Sequence, residues 1–273
     1  MVNWYPYLEG KDPHTHGVEG DVRITHQVYS PQLENTRDLY IYLPPSYHYS
    51  SIAYPVLYFQ DGQNAFDHAI SYAGEWHADR TMQALAAEGR EAILVFVPNM
   101  GEQRIREYNP FQSGAFEGGR GEDYLHFLVD TVKPLIDTDF RTLPDRLHTG
   151  IVGSSMGGLI SLYGFFRRPD IFGLLCAMSP SLWVNYNAVG ETIQNAPYSW
   201  GRIYLDIGGH ELTPRSSKRN HAYVDSVRQF RDMIAQKGFV EGQTLRFIED
   251  ETGGHNEMAW GHRLPDAIRF LIG

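Results

Sequence analysis

The chain has 273 residues, of which 42% are hydrophobic, and a formal net charge of −10. This length fits one large α/β domain or two small ones, and the acidic balance leaves no basic footprint for nucleic acid or an anionic membrane. The N-terminus lacks a basic segment followed by an apolar one, and no apolar run is long enough to span a bilayer, so we expect a cytoplasmic protein with no membrane partner.

Strand-like and helix-like segments alternate after an extended lead-in at residues 1–20. Two segments rich in β-branched and aromatic residues, at 21–30 and 37–47, are predicted to pair as an antiparallel edge. Apolar runs typical of buried strands follow at 54–62, 92–99, 148–154, 172–180, 202–209 and 243–251. Helices with apolar residues at a 3.6-residue period are predicted at 74–89, 121–140, 155–169, 220–238 and 256–273. Pro134 should kink the helix at 121–140 or mark its last turns.

This alternation predicts an α/β fold in a single domain over residues 1–273. Parallel strands need crossover helices, so we expect a mostly parallel, eight-stranded sheet with helices on both faces. No linker-like break indicates a second domain. The main irregular insertion is the long loop at 100–120, and loops of that length usually carry function or disorder.

The stretch GIVGSSMGG at residues 150–158 contains two adjacent serines between glycines. Only Ser155 has a glycine both two residues before it and two residues after it, whereas Ser154 has Val152 and Met156 there. A nucleophilic serine on a sharp strand-to-helix turn has a strained backbone, and larger flanking side chains would collide with each other or with neighbouring strands. A tight turn or helix cap is the alternative. The position between a predicted strand and a predicted helix favours Ser155 as a nucleophile.

A serine nucleophile needs a general base, and in α/β enzymes built on such a turn the chain order is Ser, then Asp or Glu, then His. His255 directly follows the last predicted strand and precedes the last helix, behind two glycines that let its loop curl over the sheet. His210 comes too early for this order, and His262 falls inside the last predicted helix. His255 is therefore the predicted base.

Two carboxylates near the strand at 202–209 are candidates for the acid that orients the base. Glu211 lies on the loop beyond the strand, from which a side chain can reach across to a histidine. Asp206 lies within the strand, where a buried structural carboxylate is the alternative interpretation. Glu211 is favoured, and Asp206 stays open.

Acyl transfer also needs amide donors for the oxyanion of the tetrahedral intermediate. The backbone N–H of Met156, which follows the nucleophile, is the first predicted donor. The second is expected in the loop after VLYFQDGQN, from Gln63 or its neighbour, because Gly62 allows a close approach of the backbone there.

Taken together, these residues resemble the putative esterase family of α/β-hydrolases, which includes enterochelin esterase-like proteins, feruloyl and acetyl-xylan esterases, S-formylglutathione hydrolases and mycobacterial mycolyltransferases. The matching stretches run from about residue 37 to the C-terminus: YIYLPPSY, YPVLYFQDGQNAF, GIVGSSMGGLISLY, PDIFGLLCAMSPSLW and GGHNEMAW. The resemblance implies the α/β-hydrolase fold. It assigns family roles to seven residues: Ser155 (nucleophile), His255 (base), Glu211 (acid), Gln63 and Met156 (oxyanion amides), Asp61 (near a substrate hydroxyl) and Trp183 (pocket side).

The leading hypothesis is a serine ester hydrolase that acts through an acyl-enzyme on a small-molecule ester, such as a carbohydrate-linked, feruloyl, acetyl or siderophore-type ester, with no cofactor and no metal. One alternative is an acyltransferase that uses the same acyl-enzyme, and another is a catalytically silent binding protein on this scaffold. Phosphate binding by EGGRGED at 117–123 is disfavoured, because no Lys-Ser/Thr follows it and no strand precedes it. The negative net charge mildly disfavours an anionic substrate, and the oligomeric state is not predicted.

Overall fold

The computed structural model describes residues 2–112 and 119–273. Residues 113–118, in the predicted insertion at 100–120 and at the start of the stretch 117–123, lie outside the described residues, as does the first residue of the lead-in.

One sheet contains all the strands found in the described ranges. They are β1 (Tyr5–Pro6), β2 (Asp21–Ser30), β3 (Asn35–Leu43), β4 (Val56–Gln60), β5 (Ile93–Val97), β6 (Thr149–Ser154), β7 (Leu174–Met178), β8 (Arg202–His210) and β9 (Leu245–Gly254). Their spatial order is β1-β2-β3-β5-β4-β6-β7-β8-β9. The pairs β1–β2, β2–β3 and β3–β5 are antiparallel, and the pairs from β5 through β4 to β9 are parallel.

The predicted α/β architecture with a mostly parallel sheet and an antiparallel start is confirmed. The sheet has nine strands instead of eight, because the two residues of β1 pair with Arg23 and Ile24 of β2. A two-residue strand carries no periodic pattern, so sequence reasoning could not detect it. The lead-in is anchored to a residue that follows β4. Asp67, whose side chain is fully buried, accepts a hydrogen bond from the Tyr7 hydroxyl and lies 2.6 Å from Nδ1 of His16.

Eight α-helical segments follow the strands in the described ranges. They are α1 (Ala78–Ala86), α2 (Arg104–Tyr108), α3 (Gly121–Phe127), α4 (Lys133–Asp139), α5 (Ser155–Arg167), α6 (Tyr186–Asn195), α7 (Lys218–Gln236) and α8 (Glu257–Ile272). A π-helical turn, Leu128–Val132, separates α3 from α4 just before Pro134. Proline has no N–H for the carbonyl four residues earlier, which explains why the predicted helix at 121–140 changes its hydrogen-bond pattern here.

The helices α2 and α6 were missed by the sequence analysis. The first has only five residues, and the second contains Asn187 and Gly190, which have low helix propensity, although Val189 and Ile193 lie on one face. No helix in the described part of the chain is both long enough and apolar enough to cross a membrane.

The core consists of two apolar layers, one on each face of the sheet. Alternate residues of β4 show the division, since Val56 and Tyr58 belong to one layer and Leu57 and Phe59 to the other. Apolar residues of α3 to α7 pack in the first layer, and those of α1 and α8 pack in the second. Because β4 and β6 are covered on both faces, the carboxyl ends of the parallel strands are held rigidly at one edge, where the site lies.

Candidate active site

The turn from β6 into α5 carries Ser155 in a left-handed backbone conformation, with φ of 56°. Its flanking glycines are needed sterically: a Cβ at Gly153 would lie 2.4 Å from the carbonyl oxygen of Gly157, and one at Gly157 would lie 3.0 Å from Oδ2 of Asp61. Ser154 is the last residue of β6 and is buried. The spacing that singled out Ser155 therefore has the predicted physical basis.

Three predicted residues from separate segments form one hydrogen-bonded row. Nε2 of His255 lies 2.9 Å from Oγ of Ser155, and Nδ1 of His255 lies 2.5 Å from Oε2 of Glu211. Glu211 follows β8, and His255 lies between β9 and α8. Because β6, β8 and β9 run parallel, their carboxyl ends bring these residues to the same edge of the sheet.

Glu211, and not Asp206, contacts the imidazole. The Glu211 side chain is fully buried, and its Oε1 accepts hydrogen bonds from the backbone N–H of Gly208 at 2.5 Å and from Oγ of Ser179 at 2.7 Å. An ionised carboxylate can only accept, so the remaining oxygen, Oε2, fixes Nδ1 of His255 as a donor. Nε2 is then left as an acceptor toward Ser155.

Asp206 is a buried structural carboxylate. Its Oδ2 accepts from Nε of Arg263 at 2.7 Å and its Oδ1 from Nη2 at 3.2 Å. Burial raises the pKa of Asp206 to about 6, although the Arg263 guanidinium opposes this shift. Asp206, the other candidate for the acid, therefore pairs with Arg263 and not with His255.

Ser179 connects the two carboxylates and was missed by the sequence analysis. Its backbone N–H donates to Oδ1 of Asp206 at 3.0 Å, while its Oγ donates to Glu211 and accepts from Nε1 of Trp260 at 3.0 Å. Ser179 also has a left-handed φ of 42° and a carbonyl that accepts from the Tyr223 hydroxyl at 2.6 Å. Its position directly after β7, at the same sheet edge, was the available signal.

The two predicted oxyanion amides lie at the starts of helical turns. Met156 is in the first turn of α5, where backbone N–H groups have no partner within the helix, and the Ser154 side chain makes no cap. Gln63 lies in the 3-10 turn Gly62–Asn64 after β4. A Cβ at Gly62 would lie 2.4 Å from the backbone of β5, so this glycine lets the turn pack directly against that strand.

Both carboxylate oxygens of Asp61 already accept hydrogen bonds from neighbouring side chains. Oδ1 accepts from Nε of Arg104 and from Nδ2 of Asn99, each at 2.6 Å, and Oδ2 accepts from Nη2 of Arg104 at 2.7 Å. The resemblance implied a contact with a substrate hydroxyl, but the structure shows both carboxylate oxygens engaged. Asp61 holds Arg104, a residue that sequence reasoning did not select.

A cavity of about 640 Å³ opens at Ser155. Ser155, Met156 and His255 line it together with Trp183, which is 52% exposed. The predicted pocket-side position of Trp183 agrees with this placement. The volume is in the range of small-molecule sites, and the walls are mainly apolar with a few polar groups.

Comparisons with known proteins give a consistent set of relatives. A family model described as "Putative esterase" matches residues 30–271. The uncharacterized protein YbbA of Bacillus subtilis is 28% identical over 241 residues, covering 85% of this chain and 91% of that protein. The iron(III) salmochelin esterase of Escherichia coli is 27% identical over 229 residues, covering 78% of this chain but only 49% of the esterase.

Among solved structures, an IroE-like serine hydrolase from Shewanella oneidensis superposes with a TM-score of 0.73 at 22% identity, covering 92% of this chain and 80% of that chain. This likeness confirms the predicted α/β-hydrolase fold.

Proposed function

The chain belongs to the family described as "Putative esterase", and from that premise we propose that it is a serine ester hydrolase that works through an acyl-enzyme. The observation that carries the proposal is the continuous row Ser155–His255–Glu211 beside the cavity. A hydroxyl, an imidazole and a buried carboxylate in this order form a nucleophile, its base and the group that orients the base.

The proposed reaction has two stages. Oγ of Ser155 attacks the ester carbonyl while Nε2 of His255 takes its proton, and the imidazolium then gives that proton to the leaving alcohol. The amides of Met156 and Gln63 stabilise the oxyanion. Water, deprotonated by His255, next attacks the acyl-enzyme, which releases the carboxylic acid and restores Ser155. Glu211 stays ionised throughout and supports the positive charge on His255.

We propose a small-molecule carboxylic ester as the substrate. Relatives named as siderophore esterases suggest a siderophore-type ester, and the broader family resemblance adds feruloyl and acetyl esters as candidates. Trp183 is proposed to contact the substrate because it lines the cavity, and Asp61 is proposed to act on the substrate through Arg104, since Arg104 occupies both of its oxygens.

A single domain over residues 1–273 is proposed because all described strands pair in one sheet. The cytoplasmic location stays a prediction.

Labelling with a fluorophosphonate tests the nucleophile. We expect one adduct, on Ser155, and expect Ser155→Ala to abolish both the labelling and the hydrolysis of an aryl acetate. Ser154→Ala is the matched control, because this neighbouring serine is buried in β6. The absence of an adduct on folded protein would contradict the proposal and favour a silent binding protein, whereas acyl transfer to an added alcohol in preference to water would favour an acyltransferase.

A further inference from the structure

The residues that line the cavity at Ser155 differ in charge from the chain as a whole. The protein has a formal net charge of −10, yet two arginines, Arg104 and Arg219, line the cavity. None of the lining residues in the described part of the chain is acidic. Arg104 is paired with Asp61, so Arg219 supplies the unpaired positive charge among the described lining residues, and the net charge of the whole chain does not predict the charge at this one position.

Arg104 is a fixed donor. Its Nε and Nη2 donate to the two oxygens of Asp61 at 2.6 and 2.7 Å. A guanidinium has five N–H donors in a rigid plane, so this two-point contact leaves Nη1 available and sets its direction. Because Asp61 neutralises most of its charge, Arg104 contributes geometry more than net attraction.

Arg219 is an available cation. It is exposed, and no acidic side chain in the described ranges forms an ion pair with it. Farther along α7, Arg228 is paired with Glu249 and Arg231 with Asp232. Arg219 shares its helix face with Ala222 and Tyr223, at spacings of three and four residues, and all three line the cavity.

The position of Arg219 in its helix is electrostatically unfavourable without a ligand. It is the second residue of α7, and the first turn of this helix contains no acidic residue. The N-terminal end of a helix has a partial positive charge, which favours anions and disfavours cations. A bound anion would relieve this repulsion and pair with the guanidinium.

The other walls of the cavity are apolar, with Ile105, Val184 and Leu212 among them. An ion pair beside such walls is screened less than one on an open surface. We propose that, if the protein is the serine ester hydrolase proposed above, its cavity selects esters that carry a negatively charged oxygen group, such as a carboxylate, on an apolar body. Arg219 binds that group, and Arg104 is a second, oriented donor.

Two matched pairs of esters test this selection on the whole chain. Mono-p-nitrophenyl adipate against p-nitrophenyl hexanoate places the anion on the acyl side, and para-acetoxybenzoate against para-tolyl acetate places it on the alcohol side. Each kcat/KM is divided by the ester's rate of hydrolysis by hydroxide. In at least one pair we expect the anionic ester to be preferred about tenfold, as for one charge-assisted hydrogen bond, and we expect added salt to reduce the preference.

Substitutions assign the preference to Arg219. Arg219→Gln should abolish the preference for the anionic ester, and Arg219→Glu should reverse it. Arg231→Gln, which removes the same charge from α7 outside the cavity, should leave the preference intact. As a readout without turnover, Ser155→Ala protein should bind the anionic ester more tightly than its neutral partner in calorimetry, and Arg219→Gln in that background should remove the difference.

Failures of the two proposals are distinguishable. If the neutral esters are hydrolysed and Ser155 is labelled, but neither pair shows a preference that depends on Arg219, the anionic subsite is refuted and the hydrolase stands. If no ester is hydrolysed and Ser155 takes no label, the hydrolase is refuted. In that case equal binding of the charged and neutral esters by the Ser155→Ala protein would refute the subsite as well.

Discussion

Replacing Glu211 by glutamine tests the proposed catalytic row at its most buried member. The change keeps the shape of the side chain but turns one oxygen into an NH₂ group. The backbone N–H of Gly208 donates to Oε1 at 2.5 Å and cannot accept, so the amide oxygen must occupy the Oε1 position. The NH₂ group then faces Nδ1 of His255, which must become an acceptor.

This reversal places a proton on Nε2, the atom that lies 2.9 Å from Oγ of Ser155. The imidazole in that tautomer cannot take the serine proton. A wrong tautomer of a catalytic histidine costs about 10⁴-fold in kcat in other triads, which corresponds to about 5 kcal/mol of transition-state stabilisation. We therefore expect Glu211→Gln to lower kcat about 10³- to 10⁴-fold with little change in KM.

The assay measures kcat and KM on an aryl acetate, the rate of fluorophosphonate labelling at Ser155, and thermal unfolding. Asp206→Asn is the matched control, because it makes the same chemical change in the other candidate acid. Asp206→Asn removes one of the two carboxylates that pair with Arg263, while Asp250 stays in place, so it should lower the free energy of unfolding by about 1–3 kcal/mol while the folded fraction stays active. Glu211→Gln should show the opposite pattern, with a near-normal melting temperature and slow labelling.

Glu211 does not orient His255 if Glu211→Gln keeps kcat within about tenfold of the wild type, or if Asp206→Asn loses kcat as severely as Glu211→Gln while still fully folded. The second result would assign the orienting role to Asp206, the alternative that the sequence left open.

Two further predictions concern the turn and a buried carboxylate. Gly153→Ala places a Cβ 2.4 Å from the carbonyl oxygen of Gly157, so chemical denaturation should show a free energy of unfolding lower by about 2–3 kcal/mol. The control is Gly190→Ala inside α6, whose Cβ meets only the Met233 side chain at 3.7 Å or more and which should be neutral or stabilising. Equal effects of the two changes would contradict a steric role for Gly153. Burial raises the pKa of Asp79 from 3.8 to about 6, so the folded state holds its proton more tightly than the unfolded state and the stability from this group falls as the pH rises between about 4 and 6, by up to about 3 kcal/mol. Asp79→Asn should flatten that part of the unfolding free energy against pH, and an unchanged slope would show that the burial of Asp79 does not perturb its protonation.

Much of the fold could be predicted because local patterns encode it. Continuous apolar runs predicted the buried strands β4 to β8, and the 3.6-residue period predicted α1, α5, α7 and α8. The elements β1 and α2 escaped because they are too short to show a periodic pattern, and α6 escaped because it contains residues of low helix propensity.

The glycine frame around Ser155 could be read from local sequence. Gly153, Ser155 and Gly157 lie within one turn, so their steric relation follows from their spacing alone, and the order of Ser155, Glu211 and His255 along the chain is visible without coordinates. Only the tertiary structure decided what each charged side chain touches. Glu211 meets His255 across 44 residues, Asp206 meets Arg263 across 57, and Asp61 meets Arg104 across 43. The fold also places Arg104 and Arg219, and no acidic side chain of the described residues, in the lining of the cavity of an acidic chain. A net charge sums over all residues, whereas the field in a site depends on the few charged side chains near it.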